Sequence, residues 1–236
     1  MGLPYGSTSC ECARIGTDAA CFLLVSALRG RETVANVCGV ILAGGKASRM
    51  GGTDKGALVV GDRTLFDRVI DRFGPQVDRL ALNANGDLRR FEEYSLTLLP
   101  DSVVDQPGPL AGVLAGMDWA ARMGCQQVIT VAVDTPFVPN DLVMRLHRGM
   151  KRANTPIALA ATECEGRLQR HPTCGIWSVR LREDLRSALA QGVRKVTYWA
   201  DSHGAASVLF EPDAFFNINT PDDLATAEEM LKTSRL

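Results

Sequence analysis

Lysine is scarce in this chain. Of 26 basic residues only 5 are lysine, and only Lys46 and Lys55 fall within the first 150 positions, so positive charge is written almost entirely as arginine. Charge of either sign in excess is also missing. A net charge of −1 and an isoelectric point near 6.3 remove the field that would draw nucleic acid or an anionic membrane without a local site. Long apolar runs are absent too: the longest near the start, Ala19 to Leu28, falls well short of the ~20 residues a spanning helix needs. With only Arg14 ahead of it and no small-x-small cleavage pattern behind, that run is a poor signal peptide. No C-x-x-C spacing recurs among the 7 cysteines, an odd number that fits a reducing cytosol better than a disulfide framework. These absences exclude a nucleic-acid scaffold, a membrane protein and a disulfide-stapled secreted domain, and point to a cytoplasmic chain. No internal repeat or low-complexity tract is present.

The 236 residues sit at the upper end of what one α/β core fills, and the apolar share of 46% and charged share of 22% are those of an ordinary globular protein. Residues 1–35 differ from the rest, holding three cysteines and no sustained periodicity. They read as an extension: mobile, an amphipathic add-on, or sequence upstream of the functional start. Residues 36–236 read as the functional domain. There, short apolar runs alternate with amphipathic segments. Strands are expected at Val37–Leu42, Leu80–Asn83, Leu96–Leu99, Val128–Val133, Ile157–Ala161, Gly175–Val179 and Ser207–Phe210, and helices at Thr64–Phe73, Pro109–Met123, Pro139–Arg152, Leu181–Ala190 and Pro221–Lys232. Three of these helices open on proline, whose missing N–H costs nothing at a first helical position. Such alternation implies right-handed βαβ units in a three-layer, doubly wound, mostly parallel sheet. Ligands collect at the carboxyl ends of its strands.

The first strand runs into Ala43-Gly44-Gly45-Lys46-Ala47-Ser48-Arg49-Met50-Gly51-Gly52-Thr53-Asp54-Lys55-Gly56. Glycines let backbone N–H groups converge on an anion, and Arg49 and Lys55 neutralise phosphate charge from the side. A Walker loop fails on spacing, since Thr53-Asp54 intervenes before the lysine, and no G-x-G-x-x-G triplet follows the strand. Later strand ends carry Asn83-Ala84-Asn85, Asp101, Gly108-Pro109-Leu110-Ala111-Gly112 and Asp134-Thr135-Pro136. Either amide suits a base or ribose, or simply a turn. A carboxylate such as Asp101 accepts from both N1–H and the exocyclic amine of guanine, although the same residue also serves as a cap. Asp134, behind a nearly continuous apolar strand, suits a Mg²⁺ ligand beside a triphosphate, or a cap for the helix near Pro139.

The run LAGGKASRMGGTDKG resembles the signature of nucleotidyltransferases with a nucleotide-diphospho-sugar-transferase-like fold, and in its full length that of the molybdenum cofactor guanylyltransferases. The resemblance covers roughly residues 37–232. It implies transfer of GMP from GTP to molybdopterin with Mg²⁺ present, and as further partners other cofactor-biosynthesis proteins and recipient molybdoenzymes. Leu42 and the backbone amides of Ala43, Gly44 and Gly45 would seat the nucleotide. Asn83 would contact it, Asp101 would select the base, Gly108 and Gly112 would bring backbone close, Lys55 and Arg49 would stabilise the phosphates, and Asp134 would hold the metal. The segments Arg170-His171-Pro172-Thr173 and Asn217-Ile218-Asn219-Thr220-Pro221 resemble the family's H-P-T and N-x-N-T-P stretches, placing His171, Asn217 and Asn219 toward the second substrate. His171 there positions rather than takes a proton, or merely packs. Arg194 and Lys195 bind the pterin phosphate or form a solvated helix end. The competing functions are a related nucleotidyltransferase using CTP or another acceptor, and a non-catalytic nucleotide-binding protein.

Overall fold

A computed structural model describes residues 34, 36–43, 55–103 and 108–233. Strand β1 (Val37–Leu42) is buried along its whole length and lies third from one edge of a seven-stranded sheet. It pairs in parallel with β4 (Arg79–Asn83) on one side and β6 (Gln127–Ala132) on the other, and β4 pairs in parallel with β5 (Thr97–Leu99). The order from edge to edge is β5-β4-β1-β6-β8-β7-β9, with β7 at Ile157–Cys164, β8 at Arg167–Ser178 and β9 at Ala206–Leu209. A two-residue pair, β2 (Val59–Val60) and β3 (Arg63–Thr64), stands apart as a small hairpin.

Alternation along β1 sends Val37 and Ile41 into one core and Cys38, Val40 and Leu42 into the other. The first core is covered by helices α1 (Leu65–Phe73) and α3 (Leu142–Ala153), through Phe66, Val69, Phe73, Leu142 and Leu146. Helices α2 (Pro109–Arg122), α4 (Arg182–Ala190) and α5 (Val196–Ser202) cover the second with Leu114, Met117, Leu185 and Trp199. Helix α6 (Pro221–Thr233) packs on the hairpin in a third, smaller core of Val60, Leu65, Phe137, Ile218 and Ala227. The result is the expected three-layer α/β architecture. None of the helices among the described residues is long and apolar enough to cross a membrane.

Three expectations need correction. β8 runs antiparallel to both β6 and β7, joined to β7 by a turn in which Glu165 and Gly166 take φ of 51° and 73°, the backbone of a tight hairpin rather than a helical crossover. Only the apolar end of this strand, near Gly175, betrays it in sequence; its first half is exposed at residues 167–169, half-buried beyond, and carries Pro172, which marks a bulge. The helix expected from Pro139 starts at Leu142 instead. Pro139 offers its carbonyl to the Leu142 N–H in a preceding turn, and the Gln76 side chain accepts the Val143 N–H as an outside cap. Finally, α5 was not expected; Val, Thr, Tyr and Trp are weak helix formers, and burial of Val196, Trp199 and Ala200 at helical spacing overrides that preference.

Candidate active site

The carboxyl ends of β5, β4, β1 and β6 lie side by side and carry Asp101, Asn83, Ala43 and Asp134 in that order. Asp134 follows β6 in a tight turn, closed by Thr135, whose N–H and hydroxyl both donate to the Ala132 carbonyl. Its backbone carbonyl accepts the Ile218 N–H at 3.0 Å, so the position is fixed from two sides. Its carboxylate accepts from Lys55 Nζ at 3.1 Å, and the same ammonium donates to Asn219 Oδ1 at 2.5 Å. Helix α3 is capped by Gln76, so the capping alternative for Asp134 falls away. Lys55 opens a short 3-10 turn, Lys55–Ala57, and its side chain keeps about a fifth of its surface exposed, as does that of Asp134 (19% and 20%). A pair at that depth is only weakly screened by solvent yet reachable by a ligand. Behind it, burial pushes the Cys174 thiol up to about 11, which keeps it protonated and removes it as a nucleophile.

Gly56 explains how Lys55 reaches the site. A Cβ at that position would lie 1.8 Å from the Phe66 ring, so only glycine lets the turn rest on α1. Asn219 is set by the start of α6, where the Asp223 carboxylate accepts the N–H groups of Asn219 and Thr220 while Thr220 Oγ1 accepts from the Asp223 N–H. Those two backbone donors hold the Asp223 carboxyl below its ordinary range, the Asn219 contact being the largest cause.

At the other end of the row, the Asp101 carboxylate is gripped by two amides. Asn83 Nδ2 donates to Oδ1 at 2.9 Å and to the Leu99 carbonyl at 3.0 Å; Asn85 Nδ2 donates to Oδ2 at 2.7 Å. Asn83 is buried and spends both of its N–H donors inside the protein, so it holds Asp101 and does not itself donate to a nucleotide in this conformation. Its Oδ1 lies so close to Gly112 that a Cβ there would approach to 2.2 Å. Gly112 therefore acts through Asn83. Gly108 precedes α2 with φ of 132°, and the bonds of the Asp101 carboxylate go to Asn83 and Asn85 rather than to the first N–H groups of α2. The Ala43 N–H donates to the Asn83 carbonyl at 2.9 Å, extending the sheet, and so is not free to seat a phosphate. Leu42 is buried beneath it. Gly44, Gly45, Lys46 and Arg49 lie outside the described residues.

A family profile, the MobA-like NTP transferase domain, matches residues 39–205. The chain belongs to the MobA-like nucleotidyltransferase family. The molybdenum cofactor guanylyltransferase of Bradyrhizobium sp. (strain ORS 278) is 48% identical over 205 residues, covering 84% of this chain and 95% of its own. A protein of the same description from Cereibacter sphaeroides is 48% identical over 195 residues, covering 82% and 96%. In fold, the chain is similar to molybdopterin-guanine dinucleotide biosynthesis protein A from Archaeoglobus fulgidus, with a TM-score of 0.64 at 21% identity over 84% of this chain and 100% of that one.

In this MobA-like enzyme the residues expected to face a second substrate do not form one group. Asn219 has joined Lys55 and Asp134. Asn217 is exposed two positions earlier. His171 lies on β8 where the pairing with β7 jumps from Leu159↔Gly175 to Ala160↔His171, a bulge that displaces Pro172, Thr173 and Cys174 from the ladder. Its Nε2 lies 2.9 Å from Thr162 Oγ1, its ring packs on Phe215 at 4.8 Å between centroids, and burial lowers its pKa. The bulge is held from below by Thr130, which donates to the Thr173 carbonyl at 2.8 Å and accepts from Trp177 Nε1 at 2.9 Å. Arg194 donates to the carbonyls of Leu189 and Val193, closing the end of α4, so it takes the helix-end role, and Lys195 is exposed beside it. Sequence reasoning missed Thr130, took Gly56 for one of the anion-cradling glycines and not for the packing contact with Phe66, did not foresee that Asp223 fixes Asn219, and favoured Asn83 over Asn85; the N-A-N spacing was the one available signal for the pair.

Proposed function

We propose that this nucleotidyltransferase moves GMP from GTP to the terminal phosphate of molybdopterin, with its molybdenum loaded, giving molybdopterin guanine dinucleotide and pyrophosphate. An oxygen of the molybdopterin phosphate attacks the α-phosphorus of GTP, and the bond from that phosphorus to the β-phosphoryl oxygen breaks. The attacking phosphate is already ionised, so the protein needs no general base. Its contribution is alignment and neutralisation of charge. The observation that carries this reading is the ammonium of Lys55, the first described residue after the glycine-rich stretch of the sequence, beside Asp134, with a fixed carboxylate at Asp101 on the same edge of the sheet.

Lys55, with Arg49, stabilises the phosphates as pyrophosphate departs, and Gly44 and Gly45 seat them. Asp101 reads guanine. Among the described residues no three His, Cys, Asp or Glu side chains gather as a metal cage. One accessible carboxylate at Asp134 nevertheless suits Mg²⁺, which commonly takes one or two carboxylates and fills its shell with phosphate oxygens and water. Bound there, the ion adds positive charge against the triphosphate. His171 and Asn217 lie toward the acceptor, His171 as a positioning group. Residues 36–236 form the transferase domain of a cytoplasmic enzyme, residues 1–35 being an extension; other cofactor-biosynthesis proteins and the receiving molybdoenzymes are its partners.

The test is incubation of the full chain with GTP, Mg²⁺ and molybdenum-loaded molybdopterin, followed by mass detection of the dinucleotide. A new species at the dinucleotide mass with equimolar pyrophosphate is expected. No product beside a competent control enzyme overturns the reading, and product from CTP at equal rate overturns the choice of base.

A further inference from the structure

We propose that Asn85 is a specificity-determining positioning residue: it locks the Asp101 carboxylate as a two-pronged acceptor that separates guanine from purines lacking the exocyclic amine. This rests on the reading of Asp101 as the base-selecting group.

The geometry is a two-bond ring. Asn85 Nδ2 donates to Asp101 Oδ2 at 2.7 Å, and the Asp101 backbone N–H donates back to Asn85 Oδ1 at 3.0 Å. The reversed amide would set Nδ2 against that N–H, so the orientation of Asn85 is forced. From the opposite side Asn83 Nδ2 pins Oδ1 at 2.9 Å, and its own reversal would set Oδ1 against the Leu99 carbonyl and the carboxylate. Each carboxylate oxygen thus spends one acceptor site on an amide and keeps another in the carboxylate plane. Two parallel acceptors match the N1–H and amino N–H of guanine. Adenine offers an acceptor at N1, and hypoxanthine lacks the amine.

The two pins differ in environment. Asn83 is buried under Gly112, whereas Asn85 is exposed. The terminal torsion of aspartate has broad wells and its two oxygens turn together, so a carboxylate held at one oxygen alone rocks about that contact. Losing Asn85 therefore leaves the smallest excursion at Oδ1, beside its remaining pin, and the largest at Oδ2. One acceptor stays near its place, which is all that hypoxanthine asks for at N1–H, while the paired fit to guanine is lost.

The experiment is competition binding of GTP, inosine triphosphate and xanthosine triphosphate to the wild-type chain, Asn85→Ala and Asp101→Asn, with thermal melting of each. The wild type is expected to favour GTP over inosine triphosphate by on the order of 10- to 100-fold, the range of one hydrogen bond to a charged acceptor. Asn85→Ala brings that ratio to within about threefold by weakening GTP while inosine triphosphate binding and melting temperature hold. A ratio unchanged in Asn85→Ala overturns the proposal. Asp101→Asn turns one acceptor into a donor set against the amide nitrogen of Asn83 or Asn85, so the paired fit to guanine is lost: GTP affinity falls toward that of inosine triphosphate, and the handicap of xanthosine triphosphate, whose O2 meets a carboxylate oxygen in the wild type, shrinks. Asp101→Asn keeping the wild-type preference for GTP over both analogues overturns the base-reading role itself, an outcome separate from failure of Asn85 alone.

Discussion

Lys55 and Asn219 stand 164 residues apart in the chain, yet the lysine ammonium lies 2.5 Å from the asparagine side-chain carbonyl. That contact, with the one to Asp134 at 3.1 Å, occupies two of the three ammonium donors. Among the described residues the third makes no hydrogen bond, and on the proposed function it is the one that meets a phosphate oxygen. A compact ammonium on a flexible stem fits between two acceptors where a planar guanidinium, with its fork of donors, does not, which gives a reason for lysine here in a chain that otherwise uses arginine.

On the proposed function, replacing Lys55 by alanine removes charge where the pyrophosphate leaves. We expect kcat to fall by about 10²- to 10³-fold, the usual loss when one transition-state donor is deleted, and Lys55→Arg to recover little of it. Initial rates of pyrophosphate release measure both. Wild-type rates in Lys55→Ala would remove the central role of this lysine.

Gly56→Ala tests how the lysine is delivered. Its Cβ would sit 1.8 Å from the Phe66 ring, itself fully buried and packed edge-on against Phe91. Either the turn or the ring must move. Overpacking of this kind costs roughly 1–3 kcal/mol, and the transfer rate should fall with it because Lys55 is the preceding residue. Adding Phe66→Leu should offset part of the loss, a coupling read from a double-mutant cycle in denaturant midpoints and rates. Additive effects would show that the ring does not support the turn.

Much of this frame was legible in sequence because it is local. β1 stands out from Val37 to Leu42 as an apolar run that ends at glycines, and α1 carries its own start signal, with Thr64 and Asp67 forming a reciprocal cap. The end-of-strand carboxylates Asp101 and Asp134 follow from the rule that α/β sheets bind ligands at that edge. What sequence could not supply was non-local. The polar half of β8 gains its strand pairing only from β7, the direction of β8 depends on a turn at Glu165-Gly166, and α5 exists because Trp199 is buried against Trp177. The contact of Asn219 with Lys55 likewise depends on α6 docking onto the β2–β3 hairpin. Asn83 shows the same limit: its type and place were readable, but not that both its donors are spent indoors.

Gly112→Ala should act on the nucleotide without touching it. The new methyl would meet Asn83 Oδ1 at 2.2 Å and Leu42 at 2.9 Å, so the amide must turn and release Asp101 Oδ1. Loss of one charge-assisted contact predicts that GTP affinity drops by about tenfold. Asn83→Ala should mimic it at a larger cost in stability, since the Leu99 carbonyl then keeps only the Ala84 N–H and a buried side chain is lost. Fluorescence competition separates the affinity change, and unchanged binding in Gly112→Ala would break the link from α2 through Asn83 to Asp101.

The pH dependence of folding follows from His171. Burial lowers its pKa, so the unfolded chain takes up a proton at higher pH than the folded one does. A group whose folded pKa lies below its unfolded value adds no penalty above the unfolded value, ~6.5 for histidine, and destabilises progressively as pH falls through it. His147 is shifted in the same direction, with burial the first cause, and adds to the same window. Stability should thus be level above neutrality and decline from about pH 6.5 downward. His171→Gln keeps a partner for Thr162 and removes one of the two contributions, so the decline becomes shallower. Urea denaturation of both proteins at several pH values reads this as a change in slope. An identical slope in His171→Gln would mean that His171 holds its ordinary pKa despite its place between Thr162 and Phe215.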